Sequence, residues 1–167
     1  MTPLLKSHKV FVFLSSPLIL SLVILAGCQK QPAPSGMPAL HPVTVTVKQD
    51  GQPLAGATVS LFSDQNTWAV GGTTNSTGQA ELRTMGAYAG APAGTYKVCI
   101  AKETVEGGGS SDDPSQPAPP EKHFDLVDQK FKSPETTLLE MTVSAGQETN
   151  QEFDVGKAIK KAFGPKN

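Results

Sequence analysis

Between residues 43 and 61 the chain reads VTVTVKQDGQPLAGATVSL, and its apolar positions fall on alternate residues in two runs. Val43, Val45 and Val47 alternate with Thr44, Thr46 and Lys48, and Ala57, Val59 and Leu61 alternate with Thr58 and Ser60. Successive strand side chains point to opposite faces, so each run predicts a strand with one buried and one wet face. Asp50-Gly51-Gln52-Pro53 lies between them. Gly51 tolerates positive φ and Pro53 has no donor for a ladder, so the chain turns or crosses over here; the two runs are expected to form a strand pair.

The same alternation recurs downstream. Residues 67–74 (TWAVGGTT) predict a third strand, with a bulge or close backbone approach at Gly71-Gly72. After a turn at Asn75-Ser76-Thr77-Gly78, residues 79–85 place Ala80 and Leu82 on one face and Glu81 and Arg83 on the other. Residues 95–101 bury Tyr96, Val98 and Ile100, leaving Lys97, Cys99 and Ala101 on the wetter face. Phe124, Leu126 and Val127 mark a return to apolar contact, with Phe131 anchoring a short irregular segment. Leu139, Met141 and Val143 define one further strand, and Phe153 and Val155 the last, over 148–155. About seven strands divided by turn signals, without an interior helical period, predict an all-β, antiparallel sandwich over residues 43–156.

The segments without alternation carry other information. Lys6 and Lys9 precede an apolar run over residues 10–24, and Leu25-Ala26-Gly27-Cys28 follows. This is the build of a signal peptide over 1–27, because the run is shorter than the roughly 20 residues of a membrane span. The tetrapeptide looks like a bacterial lipobox. That resemblance implies cleavage before Cys28, a diacylglycerol thioether on its sulfur and a further acyl chain on the new amino group. Such chains, at ~0.8 kcal/mol per buried methylene, hold a protein on a bilayer without a spanning helix. Residues 28–42 contain four prolines and no hydrophobic period, which predicts a tether reaching up to about 40 Å from the membrane. Gln29 stands where an aspartate commonly marks inner-membrane retention, so the resemblance leans to the outer membrane, on its periplasmic or surface face.

Without residues 1–27 the chain keeps all 15 acidic residues and loses Lys6 and Lys9 from its 14 basic ones, leaving 12 against 15 and a net charge of −3. That balance offers no footprint for nucleic acid. With Cys28 acylated, Cys99 has no intramolecular partner: it is either a reactive thiol or a small apolar residue covered by a neighbouring segment. Residues 103–123, rich in glycine, serine, proline and acid, are expected to be a flexible insertion, and Asp112 and Asp113 lack calcium-loop spacing. Residues 157–167, with Lys157, Lys160, Lys161 and Lys166, read as a basic tail, either frayed and solvated or a turn or two of helix on lipid headgroups.

Candidate chemistry is sparse. Trp68, the single tryptophan, is either a core anchor or a stacking platform; with Tyr88 and Tyr96 it forms the set of possible ligand or partner contacts. His41 and His123 have no ligand-like spacing, so no metal or other cofactor is expected. No phosphate loop, nucleophile elbow or metal-binding helix motif is present, and no catalytic residue is assigned.

The run DGQPLAGATVSLF, the turn NSTGQAEL and then AGTYKV, in that order, resemble the carboxypeptidase regulatory-like domains. The resemblance implies a small β-sandwich of prealbumin, or transthyretin-like, architecture. It extends to small bacterial envelope lipoproteins with one such domain, a Pro/Gly-rich insertion and a closing segment like KFKSPETTLLEMTVSAGQETNQEFDV. In the related isopeptide-forming adhesin domains, the reactive lysine and catalytic acid would fall near Val43 and Ile100, both apolar, so that chemistry is not expected even though Asn150 and Asp154 are present. The histidines, arginine and Tyr-Arg-Gly-Ser terminus of the transthyretin-like hydrolases are missing, and so is the zinc domain of a true carboxypeptidase. The resemblance thus implies a lipid-anchored envelope protein with a non-catalytic structural or interaction role, with a carbohydrate or small-ligand module as the alternative.

Overall fold

The computed structural model describes residues 32–108 and 120–164. Cys28, the expected signal peptide over 1–27, the centre of the long insertion and the last three residues lie outside the described residues. In chain order the strands are β1 (Leu40–His41), β2 (Val43–Gln49), β3 (Gln52–Pro53), β4 (Thr58–Ser63), β5 (Asn66–Thr73), β6 (Gln79–Glu81), β7 (Arg83–Thr84) and β8 (Tyr88–Ala89). They continue as β9 (Ala91–Pro92), β10 (Gly94–Ala101), β11 (Glu103–Glu106), β12 (Lys122–Asp125), β13 (Glu140–Val143), β14 (Thr149–Asp154) and β15 (Lys161–Phe163), with one 3-10 turn at Gln129–Phe131.

Two sheets enclose one core. The larger runs β13-β10-β4-β5-β7-β8; the smaller runs β14-β2-β3, with β6 also on β2. Val45 and Val47 from the smaller sheet meet Val59, Val98, Ile100 and Met141 from the larger one, all buried. The fold is therefore an all-β sandwich. Its strands are more numerous and shorter than the alternation suggested, because turns and crossovers break the longer runs.

The opening runs do not pair with each other: β2 and β4 belong to different sheets and face one another across the core. The cause is local. Asp50 and Gly51 both take positive φ, which makes a two-residue hairpin that returns only Gln52 and Pro53 onto β2. The last bond of this return is from the Leu54 N–H to the Val47 carbonyl at 2.9 Å; the Val47 N–H turns instead to the Gly78 carbonyl at 2.8 Å. The chain then crosses to the other sheet, stitched by buried Thr74, whose hydroxyl donates to the Leu54 carbonyl at 2.6 Å and accepts from the Ala57 N–H at 2.8 Å. A second departure is β14, which runs parallel to β2, Thr149 opposite Val43 and Asp154 opposite Lys48. The chain changes sheets between β13 and β14, and that crossover sets the parallel sense. At Gly71 a Cβ would lie 2.8 Å from the Val59 carbonyl, and at Gly72 2.9 Å from that of Glu81, so the approach of neighbouring backbone demands the pair.

Three segments expected to be loose are ordered where described. The ends of the 103–123 insertion form a hairpin, β11 on β12, and the tail returns as β15 on the other side of β12. Side chains explain the tail: Lys160 Nζ lies 4.7 Å from the Phe124 ring centroid and 2.5 Å from Glu106 Oε1, while Phe163 packs tilted on His123. These contacts replace the frayed or lipid-facing end expected from its lysines. In the tether, Leu40 and His41 pair with Pro92 and Ala91, and the Pro32 carbonyl accepts a 2.9 Å hydrogen bond from the Tyr88 hydroxyl. Chain expected to be spacer is thus partly docked.

The third sheet is held by a buried ion pair. Asp125 is fully buried, and its carboxylate meets Lys132 Nζ at 2.5 Å and Gln129 Nε2 at 3.0 Å; Lys132 also reaches Glu103 at 2.6 Å. Burial alone would push the Asp125 carboxyl up, but the bonds from Lys132 and Gln129, with the charges of Lys132 and Lys161, hold it below its usual range. For Lys132 burial acts downward, and the bonds and charges of Asp125 and Glu103 outweigh it, holding the ammonium above its usual range.

Candidate functional site

The alternation of β4 holds to its end: Leu61 points into the core and Phe62 outward, 45% exposed. The register with β5 shifts between Leu61 and Ser63, with Leu61 opposite Val70 but Ser63 opposite Asn66, so the extra residues lie on β5 around Trp68. A bulge re-aims side chains on the strand that carries it. Across the outer face, Phe62 stands opposite Lys97, and Lys97 opposite Glu140, with which it forms a 2.7 Å ion pair. Next to this row β5 presents Trp68, half-buried.

Trp68 lines two adjoining concavities. One, of about 670 Å³, is bounded by Phe62, Asp64, Asn66, Lys97, Glu135 and Glu140 among others. The second, of about 540 Å³, is bounded by Gln65, Asn66 and the docked chain at Pro38 and His41. The wall between them is rigidly referenced to the core. Asn66 accepts from the Trp68 N–H at 3.1 Å and donates to the Tyr96 hydroxyl at 3.0 Å, and that hydroxyl donates to the Pro92 carbonyl at 2.7 Å. In the larger groove the carboxylates of Asp64, Glu135 and Glu140 outnumber the ammonium of Lys97, which gives its rim an acidic balance.

The three aromatic candidates therefore part company. Trp68 is on the groove. Tyr96 is 2% exposed and belongs to the core; only its hydroxyl edge reaches the groove wall, and burial pushes that phenol up against the lowering effect of Asn66. Its apolar phase in β10 places its ring inside, and it lines the groove from the core side. Tyr88 is half-buried, spends its hydroxyl on Pro32 and is not among the groove's lining residues. Phe62, Asp64, Asn66 and Glu135 were missed. An aromatic on the wet phase of a strand was a legible signal for Phe62; Glu135 arrives from a remote segment and leaves none.

Other reactive groups are placed as follows. Cys99 lies on the outer face of β10 yet is only 5% exposed, because the 3-10 turn and the chain after it cover that face. Of the two readings of Cys99, this is the covered, small apolar one, on a face that its phase alone makes outer. Burial, with the charge of Glu135, pushes its thiol up and away from the reactive thiolate. His41 accepts the Gly146 N–H on Nδ1 at 3.1 Å, while His123 lies across the molecule's third sheet on β12. Lys132, Asp125 and Glu103 unite an amine with two acids, but as an ionised pair: the amine is held protonated and is no nucleophile. Among the described residues no three His, Cys, Asp or Glu side chains cluster in a metal-holding arrangement. No protein-family model, curated protein or solved structure matches the chain.

Proposed function

We propose that the chain is a lipid-anchored bacterial cell-envelope protein with a non-catalytic interaction role, of the carboxypeptidase regulatory-like kind suggested by its turn and strand motifs. In this reading Cys28 carries the lipid and fixes the protein on the outer membrane, and no cofactor takes part. The Trp68 groove is the contact surface. The observation that carries the proposal is the contrast at that groove. A large aromatic stays only partly buried beside an exposed Phe62, while the Asn66–Tyr96–Pro92 hydrogen bonds brace its wall. Pre-ordered aromatic surface with an acidic rim suits a partner segment whose apolar residues are flanked by lysine or arginine.

A photo-crosslinking residue at position 62, in cells bearing the full chain, should give a discrete adduct with an envelope protein, lost when Trp68→Ala is added. A carbohydrate module is the second reading, favoured by the same aromatic pair with carboxylates able to accept sugar hydroxyls. Trp68 is the single tryptophan, so its fluorescence reports this groove alone. A saturable fluorescence change with cell-wall oligosaccharides, together with no Trp68-dependent protein adduct, would replace the first reading by the second.

A further inference from the structure

One exposed apolar side chain sits where both backbone and solvent disfavour it. Met85 is 54% exposed at the tip of the β7–β8 connection, at φ +54, followed by Gly86 at φ +70. The Ala87 N–H closes the turn on the Thr84 carbonyl at 3.2 Å. Two positive φ values in succession are the I′ pattern, whose first position favours Asn, Asp or Gly; methionine gains nothing from it. Arg83 braces the loop, donating from Nε to the Gly86 carbonyl at 3.0 Å and from a terminal nitrogen to that of Ala87 at 2.5 Å. A strained residue retained in a well-supported turn points to a use for its side chain.

The neighbourhood of this turn identifies the use. Tyr88, three residues beyond the tip, holds the Pro32 carbonyl. Only Gln29, Lys30 and Gln31 separate Pro32 from Cys28, so the covalent chain allows at most about 14 Å between them. Any bilayer holding acyl chains on Cys28 is therefore within reach of the hairpin. A flexible, exposed methionine, a tyrosine with apolar body and polar tip, and an arginine beside them are the side chains suited to the headgroup and upper acyl region.

The geometry points to the Arg83–Tyr88 hairpin as a membrane-contact element: Met85 enters the bilayer that carries the Cys28 lipid, and the sandwich rests on its surface by this end. The inference rests on the lipid-anchor reading. It replaces a domain held off on a 40 Å tether by one docked at the surface. The Asn75–Gly78 turn then points away from the membrane. Leu82 bonds to Val43 at one end of β2, whereas Gly78 bonds to Val47 toward the other.

The test uses the full chain extracted from cell membranes and placed in phosphatidylethanolamine/phosphatidylglycerol vesicles. An environment-sensitive fluorophore is attached at Met85→Cys or, as the far-end control, at Thr77→Cys. Cys99 is buried, and a chain without an introduced cysteine measures its background labelling. The expected result is a blue-shifted probe at 85, quenched several-fold more by nitroxide-bearing lipid than the probe at 77, and protected from aqueous iodide. Equal iodide access at 85 and 77 on vesicle-bound protein overturns the inference and leaves the anchor standing. Protection at 85 that appears without vesicles and grows with protein concentration overturns it in favour of a second copy of the chain. Protein that fails to stay on vesicles, with no acyl mass on Cys28, removes the anchor reading and the inference together.

Discussion

Met85 and Tyr96 show what a single position does and does not reveal. Tyr96 follows the strand period into the core, and its phase in β10 overrides the polar tip that suggested a contact role. Trp68 could not be placed by period alone, since TWAVGGTT mixes apolar, small and polar residues; the bulge after Leu61 and the bracing by Asn66 decide its exposure. Met85 leaves its mark in conformation, which the letters of the sequence do not display. Because Asn tolerates the left-handed region far better, Met85→Asn should stabilise the soluble domain by about 0.5–1 kcal/mol. A rise in thermal midpoint in detergent-free, unacylated protein checks this. A fall would show that Met85 contributes packing to the fold itself.

Among elements, the third sheet is the least legible and the most instructive. Glu103-Thr104-Val105-Glu106 and Lys161-Ala162-Phe163 carry no apolar alternation, because these strands are fixed by ions and rings and not by a buried face. The pairing of Asp125 with Lys132, seven residues apart across a 3-10 turn, had no local signature either. Lys132→Ala strands the fully buried Asp125 and should cost about 2–3 kcal/mol, near the low end for a broken buried pair because the lysine is a quarter exposed. Chemical denaturation at pH 7 measures it. The acid limb follows from Asp125: its folded carboxyl is held below the ordinary value. Its contribution is therefore complete above about pH 4 and lost as pH falls through the lower folded value. Lys132, held above its ordinary value, contributes fully below about pH 10 and loses that contribution as pH rises further. Asp125→Asn should accordingly lie below the native chain in stability at pH 7 and converge with it below pH 4. A gap that is constant down to pH 3 would contradict the pair's role.

At the scale of the whole molecule, the sandwich was legible because its two opening runs and β13 each bury one face in alternation, and β10 does the same apart from its covered Cys99. The assignment of those runs to opposite sheets was not legible, since Asp50-Gly51 suits a hairpin while the crossover is held by the distant hydroxyl of Thr74. The tether was read from its prolines, yet Leu40 and His41 find backbone partners in β9 and Pro32 finds Tyr88, contacts that composition does not encode. The proposed function joins to these features a sandwich that Cys28 would seat at a bilayer and whose Trp68 groove would face an envelope partner. The anchor is its central claim, and metabolic labelling with palmitate, read beside membrane fractionation, tests it most directly. The native chain should incorporate label and sediment with membranes, while Cys28→Ser should lose the label and its membrane retention. A Cys28→Ser chain that remains in the membrane fraction, or a native chain without label, would contradict the account.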